Sequence, residues 1–492
     1  MRGRMSGSFA TAAVAAMAGL ALGGATIARA QDKSAPLSKI ERLNRAPVSK
    51  EILRVKLPRP ATVKLANGLT VLLLEDHKLP TVAFTMWIRP GQLADPKDLP
   101  GLASFTADML REGTDRRTSE QIATEVDSLG ATLAADSRFG ASFTTVNASG
   151  LIDNAAQILD LMSDVVLHAT FPESELAKFK QRQAASLEDR LSNPNFLGQQ
   201  AFRRVLYGEG PLAVTSPTKE SIEKATQADL KRFHDEHYTP GNTLLGVTGD
   251  FKTGEMRALV EKHFGGWAGK AEPAEKVATA SAQPTKITLV DRPNSVQTFI
   301  ILGDRGIRRN DPDYYAVDLM NQIVGASAQS RLFLDLREEH SLTYGAYSRF
   351  NADVYPGDWF AFSPVRTSVT DEAMARFTYE VKKINDEPVP ANELDDARRA
   401  MVAGFALSLE SPATVIGDWL AVQHYGLAED YWDKYPDRIA AVDDAAVQRV
   451  AKKYVDPEHM QWVCVGDRAK IQDALAKYGT VNVVDVTGQP EK

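Results

Sequence analysis

The 492-residue chain has a single cysteine, Cys464, set in the apolar run Gln461-Trp-Val-Cys-Val465. That excludes an internal disulfide and predicts a buried small hydrophobe rather than a reactive thiol. Basic charge is also scarce. There are 57 lysines and arginines against 64 acids, a formal charge of −7 with no basic cluster, which argues against a nucleic-acid partner. Beyond residue 30 no apolar run is long enough to span a bilayer. The eight histidines are scattered, and no H-x-x-E-H or G-x-S-x-G motif occurs. His234-Asp-Glu-His237 spaces its histidines i, i+3 rather than the i, i+4 a metal helix needs, and it reads as solvated helix surface.

The first 30 residues have the pattern of an export leader. Arg2 and Arg4 precede an apolar stretch from Ala12 to Leu22, and Ala28-Arg29-Ala30 makes a cleavage site before Gln31. Loss of this leader removes three arginines and no acid, taking the formal charge from −7 to −10. The expectation is a signal peptide over 1–30, cut after about Ala30, and a periplasmic mature chain.

The mature chain repeats itself. Asp229-Leu-Lys-Arg-Phe…Tyr238…Pro240…Gly249-Asp250 returns as Ala446-Val-Gln-Arg-Val…Tyr454…Pro457…Gly466-Asp467, at offsets of 216 and 217. Pro172-Glu-Ser-Glu-Leu176 returns as Pro390-Ala-Asn-Glu-Leu394, at 218. Spaced matches at one offset indicate a duplication with units of about 210 residues. The expected organisation is an N-terminal arm over 31–57, a first half over 58–268, a linker over 269–285 and a second half over 286–487. The linker, Gly269 to Pro284, is rich in Ala, Pro and charge. Strand-like runs (69–74, 82–88, 141–148, 243–247) alternate with helical ones (102–111, 119–129, 173–191). Consecutive strand pairs with helices grouped on one side predict α+β halves, each an antiparallel sheet carrying helices on one side.

The stretch Gly101-Leu-Ala-Ser-Phe-Thr-Ala-Asp-Met-Leu-Arg-Glu-Gly-Thr114 also fits an ordinary amphipathic helix, with Leu102, Phe105, Met109 and Leu110 inward. Its frame, however, resembles the metal helix of the insulinase/pitrilysin family of inverted-motif zinc peptidases. There two histidines hold zinc and a glutamate between them activates water. Three further segments resemble the same family: the Asn67-Gly68-Leu69 turn, Tyr238-Thr-Pro240-Gly-Asn242 with Gly249-Asp250, and the 172–194 stretch that carries a third, glutamate ligand. Laid on this chain, the histidine positions are Ser104 and Asp108, the glutamate is Ala107, and the third ligand falls near Ser186. Glu188 points to another helix face. The resemblance covers roughly residues 58 to 480. It implies the fold repeated twice in a clam-like arrangement, with the metal set lost and no zinc or other cofactor in this chain.

A fifth segment, Ser330-Arg-Leu-Phe-Leu-Asp-Leu-Arg-Glu-Glu-His-Ser-Leu-Thr-Tyr344, resembles the family more specifically. By that resemblance Arg337 and Tyr344 contact the substrate backbone and stabilise the developing oxyanion, a role suited to a guanidinium and a phenol. From chemistry alone, Arg337 could equally pair with Glu338 or Glu339, and Tyr344 could fill a strand core. The resemblance thus implies the zinc-free subunit of a heterodimeric peptidase, completed by a zinc-bearing paralogue that acts on peptides. Two other readings stay open: a non-enzymatic peptide-binding scaffold, and an independent hydrolase using Ser104 or another serine.

Overall fold

A computed structural model describes residues 54–271 and 284–490. The expected signal peptide, nearly all of the N-terminal arm and most of the linker lie outside the described residues.

Two six-stranded sheets form the core. The first comprises β1 (Ala61–Lys64), β2 (Thr70–Glu75), β3 (Thr81–Ile88), β4 (Thr132–Asp136), β5 (Thr144–Leu151) and β6 (Thr243–Gly249), ordered β1-β2-β6-β3-β5-β4. The second comprises β7 (Ile287–Asp291), β8 (Gln297–Arg305), β9 (Tyr347–Asn351), β10 (Asp358–Arg366), β11 (Gln461–Gly466) and β12 (Val481–Val484), ordered β12-β7-β11-β8-β10-β9. From the second position inward the two orders correspond strand for strand. The repeat seen in sequence is therefore a repeat of topology, and the α+β class with two similar halves holds.

The sheets are mixed rather than wholly antiparallel. β6 inserts between the consecutive strands β2 and β3, which run in opposite directions, so it must lie parallel to one of them. It pairs parallel with β2 (Thr70 opposite Leu244) and antiparallel with β3. The parallel partner is reached through the helices between β5 and β6, as a parallel connection requires. β11 repeats this between β7 and β8. The Asn67-Gly68 turn joins β1 to β2, with Gly68 at φ 101° and Lys64 opposite Thr70.

Helices cover both faces of each sheet, and one face is covered by the other half. In β2, Val71 and Leu73 enter a core with the first half's own helices, while Leu72 and Leu74 enter a second core with Val415, Ile416, Trp419 and Leu420. Those residues belong to the helix Pro412–Tyr425 of the second half. The reciprocal helix Pro194–Tyr207, from the first half, sets Leu197, Ala201, Phe202 and Leu206 against Phe299, Ile301, Val463 and Val465 of the second sheet. Ile300, Leu302, Trp462 and Cys464 face the second half's own helices. Strands buried on both faces lose alternation and become continuous apolar runs, which explains Thr-Val-Leu-Leu-Leu in β2 and Trp-Val-Cys-Val in β11.

Both crossings depend on a glycine. A Cβ at Gly198 would sit 2.6 Å from the Phe299 ring, and one at Gly246 would sit 2.6 Å from Ile416. Among the described residues no single helix is long and apolar enough to cross a membrane.

Candidate functional site

The helix Leu102–Met109 starts at Gly101, which adopts φ 96°, a conformation that favours glycine. Gly101 has no capping side chain, so Asp95 supplies the cap from outside. Its carboxylate accepts from the Gly101 amide at 2.6 Å and the Ala103 amide at 2.8 Å. Desolvation pushes Asp95 up to about 7. Beyond the helix, Gly113 sits at φ 153°, where a Cβ would meet Pro172 at 2.8 Å. Thr114 then anchors the chain. Its hydroxyl donates to buried Asp164 at 2.8 Å and accepts the Arg116 and Arg117 amides. Burial opposes ionisation of Asp164, but bonds from Arg117, Arg116 and Thr114 hold it below the usual carboxylate range. The Gly-Thr pair that ends the stretch is thus a structural clamp.

Phe105 and Met109 bury inward while Ser104 and Asp108 share the opposite, partly open face, one turn apart. Ala107 is fully buried. The facing helix is Glu173–Ser192, and the register is set by Phe105 meeting Phe179 edge-on at 5.4 Å. One turn further along each helix, the Gln183 amide reaches the Asp108 carboxylate at 3.4 Å. Gln183 is therefore the residue opposite Asp108. Ser186 lies three residues on, partly buried, and Glu188 is exposed. The sequence reading missed Gln183. The signal that could have found it is the i, i+4 step from Phe179, the last buried residue of that helix.

This donor set does not fit a catalytic zinc, which takes three nitrogen, sulfur or carboxylate ligands and a water. A hydroxyl, a methyl, one carboxylate and a neutral amide are offered instead. Asp108 itself is pushed up to about 6 by desolvation and by the nearby Asp136 carboxylate, only partly offset by Arg111, Arg182 and Arg190. Among the described residues the one group of three ligand-type side chains within 4.8 Å is Asp335, Glu339 and His340, in the other half. There Arg376 already occupies both Asp335 oxygens.

The 330–344 segment forms the helix Arg331–Phe333, a π turn over Leu334–Glu339, and a loop into β9. Of the two alternative acid partners for Arg337, Glu338 is paired with it at 3.4 Å, and the guanidinium lies over the Phe333 ring at 4.8 Å. Tyr344 does not fill a strand core. It lies before β9 and is 90% exposed.

His234 corrects the surface reading of the 234–237 pair. It is buried, its Nε2 lies 2.8 Å from the Val166 carbonyl oxygen, and it stacks on Tyr238. Desolvation lowers its pKa. Cys464 is buried as expected, with its thiol pushed up to about 12 by desolvation.

A serine, a histidine and a carboxylate do meet where the halves join, but in the wrong order for a nucleophile. Ser142 Oγ donates to Asp353 at 2.5 Å and lies 2.8 Å from His424 Nε2, so the serine, not the imidazole, is in the middle. His424 Nδ1 has no hydrogen-bond partner among the described residues, and burial, with Arg89 adding repulsion, pushes the ring down to about 3. A triad needs the imidazole oriented by the carboxylate. This cluster instead ties the β4–β5 loop to the second half.

The fold and site together define a class: a duplicated α+β chain with the frame of an inverted-motif zinc peptidase and no zinc ligand set at Ser104, Ala107, Asp108 and Gln183. Comparison with known proteins agrees. Residues 70–210 match the profile described as insulinase (peptidase family M16), and residues 224–401 match the one described as the peptidase M16 inactive domain. An uncharacterized zinc protease of Bacillus subtilis, YmxG, is 24% identical over 70% of this chain and 83% of its own length. A probable mitochondrial-processing peptidase subunit beta of Arabidopsis thaliana is 22% identical over 85% of this chain and 80% of its own. A Pseudomonas fluorescens structure described as a peptidase M16 inactive domain superposes with a TM-score of 0.78 at 28% identity, covering 83% of this chain and 98% of that one. The chain belongs to the insulinase family, peptidase family M16.

Proposed function

We propose that this chain is the zinc-free subunit of an exported, periplasmic heterodimeric metallopeptidase. A zinc-bearing paralogue supplies the metal and the general base, and this chain supplies Arg337 and Tyr344 to the peptide. The observation that carries the reading is a contrast. The face of Ser104, Asp108 and Gln183 offers no metal set, while in the 330–344 segment the Tyr344 phenol, which packing would ordinarily bury, stands almost fully in solvent and the Arg337 guanidinium is half exposed. A tyrosine hydroxyl and an arginine fork both donate hydrogen bonds to a peptide carbonyl and bind more tightly as its oxygen becomes anionic. The relatives named as zinc proteases support the substrate class.

The test is affinity capture of the tagged full-length chain from its own cells, with zinc analysis and peptide cleavage on what co-purifies. A paralogue carrying H-x-x-E-H and about one zinc per pair is expected. In that complex Tyr344→Phe should lower turnover on the order of 10²-fold, as loss of one oxyanion donor does, with assembly unchanged. Full turnover by Tyr344→Phe would favour a scaffold, because the ring itself survives. Zinc-dependent cleavage by the isolated chain would refute the division of labour.

A further inference from the structure

The segment that presents Arg337 is anchored by buried ion clusters that do not include Arg337. Arg331, almost fully buried, donates Nε and Nη2 to the two Glu393 oxygens at 2.8 and 2.9 Å, tying the start of the segment to the helix Ala391–Ser408. Four residues on, Asp335 is also buried. Arg376, from the helix Thr370–Asp386, donates Nε to both Asp335 oxygens at 2.9 Å and brings Nη2 to 2.8 Å. His340 Nδ1 lies 2.8 Å from Oδ1 of the same carboxylate. A buried carboxylate is costly to desolvate and persists when it is fully bonded, as here.

Asp335 also shapes the backbone. Its carbonyl accepts the His340 amide at 3.1 Å, an i to i+5 closure, and lies 3.0 Å from His340 Nδ1. The Leu342 amide then reaches the Leu336 carbonyl at 2.8 Å. One residue therefore holds both ends of the π turn: its side chain fixes the turn to the neighbouring helix, and its carbonyl fixes where the turn closes. Such turns are uncommon and concentrate at functional sites. Arg337 sits inside it, two residues after Asp335 and three before His340.

We propose that Asp335, with Arg376 and His340, is a positioning residue: it holds the wide turn that aims Arg337 at the peptide before the peptide arrives. The inference rests on the reading of Arg337 as a peptide contact. A fixed guanidinium loses less freedom on binding, and an ångström of misplacement can cost about 10²-fold in rate. The same cluster has no room for a cation role, since Arg376 fills the sites a metal would need.

The experiment is a double-mutant cycle in the captured complex, with turnover at saturating peptide as the readout. Asp335→Asn keeps the shape and removes the charge. Asp335→Asn alone should lower turnover roughly tenfold or more, and adding it to Arg337→Ala should lower turnover no further. A purely structural role would give the same loss with or without Arg337, and that result overturns the positioning claim. If Arg337→Ala by itself leaves turnover unchanged, the reading of Arg337 falls instead. Should Asp335→Asn fail to fold, Arg376→Gln and His340→Gln break the same cluster from its more open side. They must show the same dependence on Arg337 or the claim fails.

Discussion

Replacing Asp108 with asparagine separates a spent metal position from a working one. In the folded chain the carboxyl titrates at about 6 instead of 3.8, chiefly through desolvation and then through Asp136. At about 1.4 kcal/mol per pH unit, that difference corresponds to roughly 3 kcal/mol of destabilisation once the group is ionised. The figure is an upper bound, because Asp108 is only partly buried. The sign follows from proton linkage. The folded state keeps its proton to higher pH than the unfolded chain, so the cost is small near pH 4 and complete above about pH 7. Asparagine has nearly the same shape and no charge to desolvate. Asp108→Asn should therefore be more stable than wild type at neutral pH, and its advantage should be about 1.5 kcal/mol larger at pH 7.5 than at pH 5. Paired urea titrations at the two pH values measure this directly, and equimolar zinc should leave both curves in place. A variant less stable than wild type at pH 7.5, or one whose deficit grows with zinc, would mean that the Asp108 carboxylate holds a cation, and the reasoning would be refuted.

Other expectations follow from the same geometry. Writing Ser104→His, Ala107→Glu, Asp108→His and Gln183→Glu into one chain should create a site that retains about one zinc after gel filtration, by elemental analysis. Natively folded protein without zinc would show that Gln183, though opposite Asp108, does not stand where a third ligand must, and would leave that position at Ser186. Gly198→Ala should cost about 1–3 kcal/mol in calorimetry, since its Cβ would meet the Phe299 ring at 2.6 Å. An unchanged melting transition would mean that the helix is not seated on the second sheet as described.

Most of the fold was legible because its signals lie in residue type and spacing. The 216–218 offsets located the repeat, the Asn-Gly turn located the β1–β2 hairpin, and helical spacing located the helix 102–109. The mixed character of the sheets was not, because β6 joins its partner β2 across nearly 170 residues and nothing local records that pairing. β5 begins at Thr144, not Ala141, because Ser142 is drawn into the contact with Asp353 and His424. In the site, that Ser104, Ala107 and Asp108 do not make a zinc set could be read from residue type alone. Residue type does not reveal Gln183, because the partner of Asp108 is decided by how Phe105 and Phe179 set two helices together, and only the i, i+4 step from Phe179 points to it. The burial of His234 was missed for a similar reason: its acceptor, the Val166 carbonyl, lies 68 residues away.

The exchange of helices 194–207 and 412–425 bears on where a duplicated chain of this kind can come from. A lone unit of about 210 residues would build its sheet and inner helices, yet leave Leu72, Leu74 and their neighbours, or the equivalent residues of the second sheet, bare to water. In the fold its own long helix does not cover them, because it reaches across to the other sheet. Two separate copies would answer the need by trading helices, each sealing the other, which is domain swapping in its ordinary sense. Tandem fusion turns that bimolecular swap into an intramolecular one and removes its dependence on concentration. Once fused, the copies are free to diverge in chemistry but not at the crossings. Residues such as Ser104 and Asp108 could change while Gly198 and Gly246 continued to hold the two halves together.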